Sequence, residues 1–164
     1  MVYEAGKSFD NAKDCYYADM FCEKTFSDTS DFRPEWVLEN DKPCTERSQN
    51  VWYGGRYDSN AYIHFDMGCL RQIKEIKLIP HFSYLSLVDN VWGTKEYKLE
   101  YKVGLLEDWI LIVEEKFEDE SRLQPDCGVT VKIHKFSPVT LNHLKFTAVS
   151  YYGRGAALQY IEVN

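Results

Sequence analysis

The sequence predicts an all-β fold, a sandwich or jelly roll of two antiparallel sheets, and three observations carry that expectation. Apolar residues alternate with polar ones in several short runs, the runs are bounded by Gly, Pro, Asp or Asn, and no run carries an amphipathic helical stripe. The aromatic share is 15%, mostly twelve Tyr and nine Phe, residues that fit a pleated, half-buried surface. At 164 residues the chain fits one domain, a size at which folding buries roughly two-thirds of the unfolded surface. Residues 1–164 are therefore read as a single domain, with no internal repeat, linker or low-complexity tract.

The elements follow in order. Residues 1–35 mix Asp, Ser, Lys and aromatics without a sustained period, so they are read as an irregular N-terminal part of the same domain. The segment from Glu39 to Thr45 has turn chemistry, because Asn40 and Asp41 bond locally to backbone and Pro43 fixes φ. Ile63, Phe65 and Met67 alternate with His64 and Asp66 until Gly68 ends the run, and a second strand is expected from Ile73 to Ile79. Tyr97, Leu99, Tyr101 and Val103 alternate with Glu96, Lys98, Glu100 and Lys102, which puts the charges on one face, toward water. Further runs at Trp109 to Val113, Val129 to Phe136, Leu144 to Val149 and Leu158 to Val163 complete the set.

Composition narrows the function classes. Lys and Arg number 19 against 26 Asp and Glu, and the net charge of -7 opposes attraction to phosphate backbones. Nucleic acid is not an expected partner. The chain has no apolar run long enough to span a bilayer, and its first residues lack the apolar stretch of a secretory signal. Cys15, Cys22, Cys44, Cys69 and Cys127 include no Cys-x-x-Cys pair, and their odd number leaves at least one thiol free. Reduced buried thiols and one or two disulfides are both compatible with that pattern.

The stretch Tyr62-Ile-His-Phe-Asp-Met-Gly-Cys69 resembles the strand ending in Asp-Leu-Gly that marks the discoidin, or coagulation factor V/VIII C-type, domain family, whose fold is galactose-binding-like. Gly93 to Leu99 is similar to that family's strand after its long loop, Trp109 to its Trp after a turn, and Leu144 to Val163 to its closing strand, loop and strand. Val37 to Trp52 is similar to its short acidic turn followed by Trp, so the resemblance spans residues 36–163 in the family's order. It implies a discoidin-like jelly-roll sandwich with no enzymatic activity, used in lectin-like recognition or cell adhesion at an extracellular or cell-surface location. Ligand is held by loops at one end, and carbohydrate and phospholipid headgroups are the usual partners. The family's sugar-binding members often hold a structural calcium with an acidic turn and a late Glu. Tyr160 stands at the position of that Glu, which leaves Asn40, Asp41 and Thr45 as candidate calcium ligands with an incomplete set. No other cofactor is expected. The family's terminal disulfide does not carry over, since Cys127 lies well before the C-terminus.

No nucleophile-base signature, His-Glu-x-x-His or Gly-rich phosphate loop is present, and His64, His81, His134 and His143 are far apart in sequence. The acidic run Glu114 to Glu120 reads as a solvated turn. The loop from Pro80 to Thr94 is unusually apolar, with Phe82, Tyr84, Leu85, Leu87, Val88 and Trp92. Either half of it folds back over the end of the sandwich, or an aromatic face stacks on a sugar ring. In the second case Tyr84 and Trp92 supply aromatic faces while His81, Asn90 or Arg154 bonds hydroxyls. Tyr151 to Gly155, with Tyr152 and Arg154, and Arg56 with Tyr57 are the other expected walls. Trp36 and Trp52 are read as core.

The expected function is thus a non-catalytic module recognising carbohydrate or glycoconjugate, with a protein partner in adhesion as one alternative. Peripheral binding to an anionic membrane through Leu85, Leu87, Val88 and Trp92 is the other, and it is disfavoured because residues 78–94 hold neither Lys nor Arg.

Overall fold

The computed structural model describes residues 20–22, 52–54, 56–82, 92–104, 106–118 and 131–164. These form strands β1 (Met20–Cys22), β2 (Trp52–Tyr53), β3 (Ala61–Pro80), β4 (Trp92–Thr94), β5 (Glu96–Lys102), β6 (Ile110–Lys116), β7 (Lys132–Ala148), β8 (Tyr151–Gly153) and β9 (Ala157–Val163). Every ladder is antiparallel. No helix occurs among the described residues, so the all-β jelly-roll sandwich expected from the sequence is what the chain forms.

The frame is a ribbon of two long strands. β3 and β7 pair from Ala61↔Ala148 to Leu78↔Lys132, with register shifts between Asp66 and Arg71 and between Ile73 and Glu75. Extra residues at such shifts bend a strand and increase its twist. The near half of the ribbon is flanked by β1 on one side and by β5 and then β6 on the other. Its far half is flanked by β9 and then β2. The two layers face each other across the core: Trp52 of β2 meets Phe146 of β7 edge-on at 6.2 Å, and the Tyr97 hydroxyl of β5 lies 2.7 Å from His134 Nε2 on the far half of β7.

The period-two reading accounts for this core. Ile63, Phe65 and Met67 are buried along the near half of β3, and Ile76 and Leu78 along its far half. The buried positions change from odd to even numbers across the register shift after Ile73, which keeps the apolar set inward on both layers. Tyr97 stacks on Phe117 at 4.4 Å and on Phe146 at 5.7 Å. Pro138, which has no amide N–H, falls in the unpaired stretch between Val139 and Lys135, where the ladder asks for none.

Three expectations are corrected here. Gly68 does not end a strand: the runs 63–67 and 73–79 are one strand that bends, and residues 132–136 and 144–148 of the two later runs are likewise one strand, β7. Glu114 and Glu115 lie exposed on β6 and not in a turn. Lys102, expected in water with Glu96, Lys98 and Glu100, is buried because its ammonium lies over the Trp109 ring at 4.5 Å.

Candidate functional site

The described loops of the expected binding end converge through backbone hydrogen bonds. The N–H of Gly54 donates to Ala156 O at 2.9 Å, that of Tyr57 to Arg154 O at 2.7 Å, and that of Gly93 to Gly155 O at 2.9 Å. β4 pairs with β8 as a separate two-stranded sheet, with Trp92 opposite Gly153 and Gly93 opposite Tyr152. Stretches distant in sequence, residues 54, 56 and 57, 92–94 and 151–156, are therefore held as one surface. Glycine is required at two points of this junction. A Cβ on Gly54 would stand 2.8 Å from Ala61 Cβ, and one on Gly93 would stand 2.4 Å from Phe82 Cδ1.

The expected residues differ sharply in what they offer. Trp92 is only 9% exposed, packed edge-on against Tyr53 at 5.6 Å in a small cluster with Ala157. His81 is 8% exposed, with Nε2 3.0 Å from the Tyr53 hydroxyl, and burial lowers its pKa to about 4, so it is neutral near pH 7. Phe82 joins the main core. The ends of the apolar loop thus fold back over the sandwich, because pairing with β8 turns β4 inward. Trp92 therefore presents little open ring face, and His81 Nε2 is already engaged by Tyr53. Tyr152 is half-buried, and its hydroxyl donates to Phe117 O at 2.9 Å. Tyr84 and Asn90, with Leu85, Leu87 and Val88, lie outside the described residues, as do Trp36 and the candidate calcium ligands Asn40, Asp41 and Thr45.

Among the described residues of this end, Tyr57 and two arginines stand open to solvent. Tyr57 is 63% exposed and its φ is 54°, the left-handed region that bulky side chains rarely enter. Its neighbour Arg56 is exposed, and Arg154 is half-exposed. The Arg154 Nε is shielded from solvent and has no hydrogen-bond partner among the described residues. Asn60, at φ 66°, closes the same turn, and its N–H donates to Ala148 O at 2.8 Å. Asn enters this region more readily than most residues.

A second concentration of polar and aromatic groups, which sequence reasoning missed, lies on the outer face of the near layer. His64 Nε2 lies 3.0 Å from His143 Nδ1, and the His64 ring meets Trp109 edge-on at 5.2 Å. Lys102 and Lys145 each hold their ammonium 4.5 Å from the Trp109 centroid. Lys145 also reaches Glu100 at 3.6 Å, and His143 Nδ1 lies 3.9 Å from Asp66. Burial first, then His143 and Lys102, lowers the His64 pKa to about 4; burial also lowers that of His143, against the opposing effect of Asp66. The signal was present in the sequence, since 64, 66, 143 and 145 share the period-two outward positions, but the pairing of β3 with β7 was needed to join them.

Among the described residues no group of three His, Cys, Asp or Glu side chains is placed to hold a metal ion, and no helix is long and apolar enough to cross a membrane.

No family model and no curated protein matches the sequence. Solved structures do match the fold. The chain is similar to the family 32 carbohydrate-binding module of Clostridium perfringens NanJ, solved with galactose, at 15% identity and a TM-score of 0.61 over 88% of this chain and 91% of that one. It is similar to a module of the same type from Clostridium perfringens GH89, solved with GalNAc-β-1,3-galactose, at 16% identity and a TM-score of 0.62 over 88% and 93%. A chitosan-binding module from a Paenibacillus sp. IK-5 chitosanase/glucanase matches at 11% identity and a TM-score of 0.62 over 89% and 93%. At these identities the likeness establishes the galactose-binding-like jelly roll that discoidin domains and these modules share.

Proposed function

We propose that this chain is a non-catalytic carbohydrate-binding module that holds a sugar at the end formed by residues 54, 56 and 57, 92–94 and 151–156. The observation that carries the reading is Tyr57, an exposed aromatic kept in a left-handed backbone conformation and pinned by its N–H to Arg154 O. Such conformations cost on the order of 1–3 kcal/mol and persist where surrounding structure enforces them, commonly at ligand sites. Its ring is the stacking face for the apolar side of a sugar, and Arg56 and Arg154 bond ring hydroxyls. Trp92, His81 and Tyr152 act from beneath and beside as the rigid support of that surface.

The fold neighbours add weight, since two of them are solved with galactose and a GalNAc-galactose disaccharide and the third is a chitosan-binding module. An extracellular or cell-surface setting fits such a module. A glycan array probed with and without calcium tests the reading, with Tyr57→Ala as the variant. Wild type binds a subset of glycans, and the variant loses at least about tenfold, or about 1.4 kcal/mol, with its melting curve unchanged. Loss of binding in EDTA would extend the reading to a structural calcium held by Asn40, Asp41 and Thr45. An array on which wild type binds nothing would overturn the carbohydrate reading.

A further inference from the structure

We infer that the sugar taken at this end is acidic, carrying a carboxylate or sulfate beside the ring that stacks on Tyr57, with Arg56 and Arg154 as its counter-ions. This rests on the carbohydrate reading above and adds the ligand's charge class to it.

The argument begins with how charge is distributed. Acidic groups outnumber basic ones by 26 to 19, so a cation in this chain has no shortage of carboxylates. Among the described residues, Lys98 and Lys145 both reach Glu100, Lys116 reaches Glu118 and Lys135 reaches Glu75, all within 4.0 Å. Arg56 and Arg154, like Arg71, Lys74, Lys77 and Lys95, enter no such pair among the described residues, and both belong to the surface that carries the exposed Tyr57 ring. Asp58, two residues beyond Arg56, is half-buried and engaged in an interaction of its own. Lys95, exposed next to β4, adds a third cation and lies 5.7 Å over the Tyr152 ring.

The state of the Arg154 guanidinium carries the argument further. Its Nε is cut off from solvent without an acceptor among the described residues. An unsatisfied donor on a charged group is costly to leave unmade. The closure that keeps water from Nε keeps a ligand from it too, however, so a ligand meets the outer N–H groups of this half-exposed side chain. There a carboxylate or sulfate presents two oxygens in the fork geometry that suits a guanidinium, where one hydroxyl oxygen meets a single N–H well. The Arg154 backbone is fixed by its carbonyl bond from Tyr57, which ties the ring and the guanidinium to one turn. A ligand stacked on Tyr57 therefore lies beside the backbone that carries both arginines, Arg154 through its carbonyl and Arg56 as the preceding residue.

Matched glycan pairs that differ only in charge test the inference: galactose with galacturonic acid, and lactose with its 3-O-sulfate, each titrated by calorimetry into the whole chain. The acidic member of at least one pair binds about tenfold more tightly than its neutral partner, and the preference weakens in high salt. Arg56→Gln and Arg154→Gln each reduce that preference, and the double variant abolishes it. Arg71→Gln is the control of equal charge change, since Arg71 lies at the bend of β3 opposite Leu141, and it keeps the preference. Arg56 is exposed, so its variant reads the effect even where Arg154→Gln is poorly folded. Binding of neutral sugars as tight as their acidic partners would overturn the acidic class and leave the carbohydrate reading standing. Binding of neither member of any pair, with none on the array, would overturn both. A preference that Arg71→Gln reduces as much as Arg56→Gln does would assign it to net charge and remove the two arginines from the argument.

Discussion

The loop end and the outer face around Trp109 hold similar residues in opposite conditions. On the outer face, Trp109 is covered by Lys102 and Lys145 at 4.5 Å each, Lys145 is neutralised by Glu100, and His64 and His143 satisfy one another at 3.0 Å. At the loop end, Tyr57 is 63% exposed, the Arg154 Nε has no acceptor among the described residues, and the backbone at φ 54° is strained. Both patches are aromatic and cationic by composition. What separates them is exposure and backbone strain, since a buried polar atom without a hydrogen bond occurs in both, Arg154 Nε at the loop end and Glu100 Oε1 in the network.

The largest expected effect concerns the layer beneath the loop end. Trp92 fills a buried cluster with Tyr53 and Ala157, so Trp92→Ala opens a cavity and costs about 3–5 kcal/mol in urea melts. Leu99→Ala, within the main core, costs about 2–5 kcal/mol by the same mechanism. A Trp92→Ala protein of wild-type stability that has lost glycan affinity would break the comparison, because Trp92 would then be an open wall of the site.

The sequence made some of this legible and hid the rest for identifiable reasons. The alternation at Ile63 to Met67 and Tyr97 to Tyr101 is visible because each strand buries one face, and any such strand must alternate. The continuity of β3 through Gly68 is not visible, since a glycine marks a bulge as readily as a stop. Trp92 looked like a loop tip because its burial depends on pairing with Gly153, a contact far away in sequence. Lys102 followed the polar side of a clear pattern, and only the turn that brings Trp109 back over β5 buries it. Gly54 and Gly55 announced the turn that carries Arg56 and Tyr57, but the left-handed φ of Tyr57 contradicts its intrinsic preference. Local propensity is an unreliable guide where a functional conformation is imposed by distant backbone.

Acid should act on both regions, and on the loop end more. His81 and His64 are held at about 4, below the ordinary 6.5, chiefly by burial. The unfolded chain therefore takes up protons first as pH falls. The stability tied to these groups is complete above about pH 6.5 and declines as pH drops toward about 4. For His81, almost fully buried, the loss is on the order of 3 kcal/mol. For His64, which is less buried and has Asp66 nearby, it is smaller. Urea melts at pH 7 and pH 4.5 measure this: His81→Gln narrows the gap between the two curves, and His64→Gln narrows it less. Equal gaps in wild type and both variants would show that neither ring takes up the proton.

The smallest effects discriminate best, because they have opposite signs. Lys145→Met removes a cation from the Trp109 face and its pair with Glu100, a loss of about 1 kcal/mol in stability, since an exposed cation-π contact contributes roughly 0.5–1 kcal/mol and a partly exposed ion pair little more. It leaves glycan affinity within about twofold, as befits a network that serves the fold. Tyr57→Gly does the reverse. Glycine enters the left-handed region without steric cost, so relieving the strain outweighs the added freedom of the unfolded chain and raises stability by about 1 kcal/mol. The same change removes the stacking ring and the affinity with it. Stability gained and binding lost in one substitution is the signature of strain held in place for a ligand. A Tyr57→Gly protein that is destabilised and still binds would mean that the ring packs for the fold, and the two regions would then differ in exposure alone.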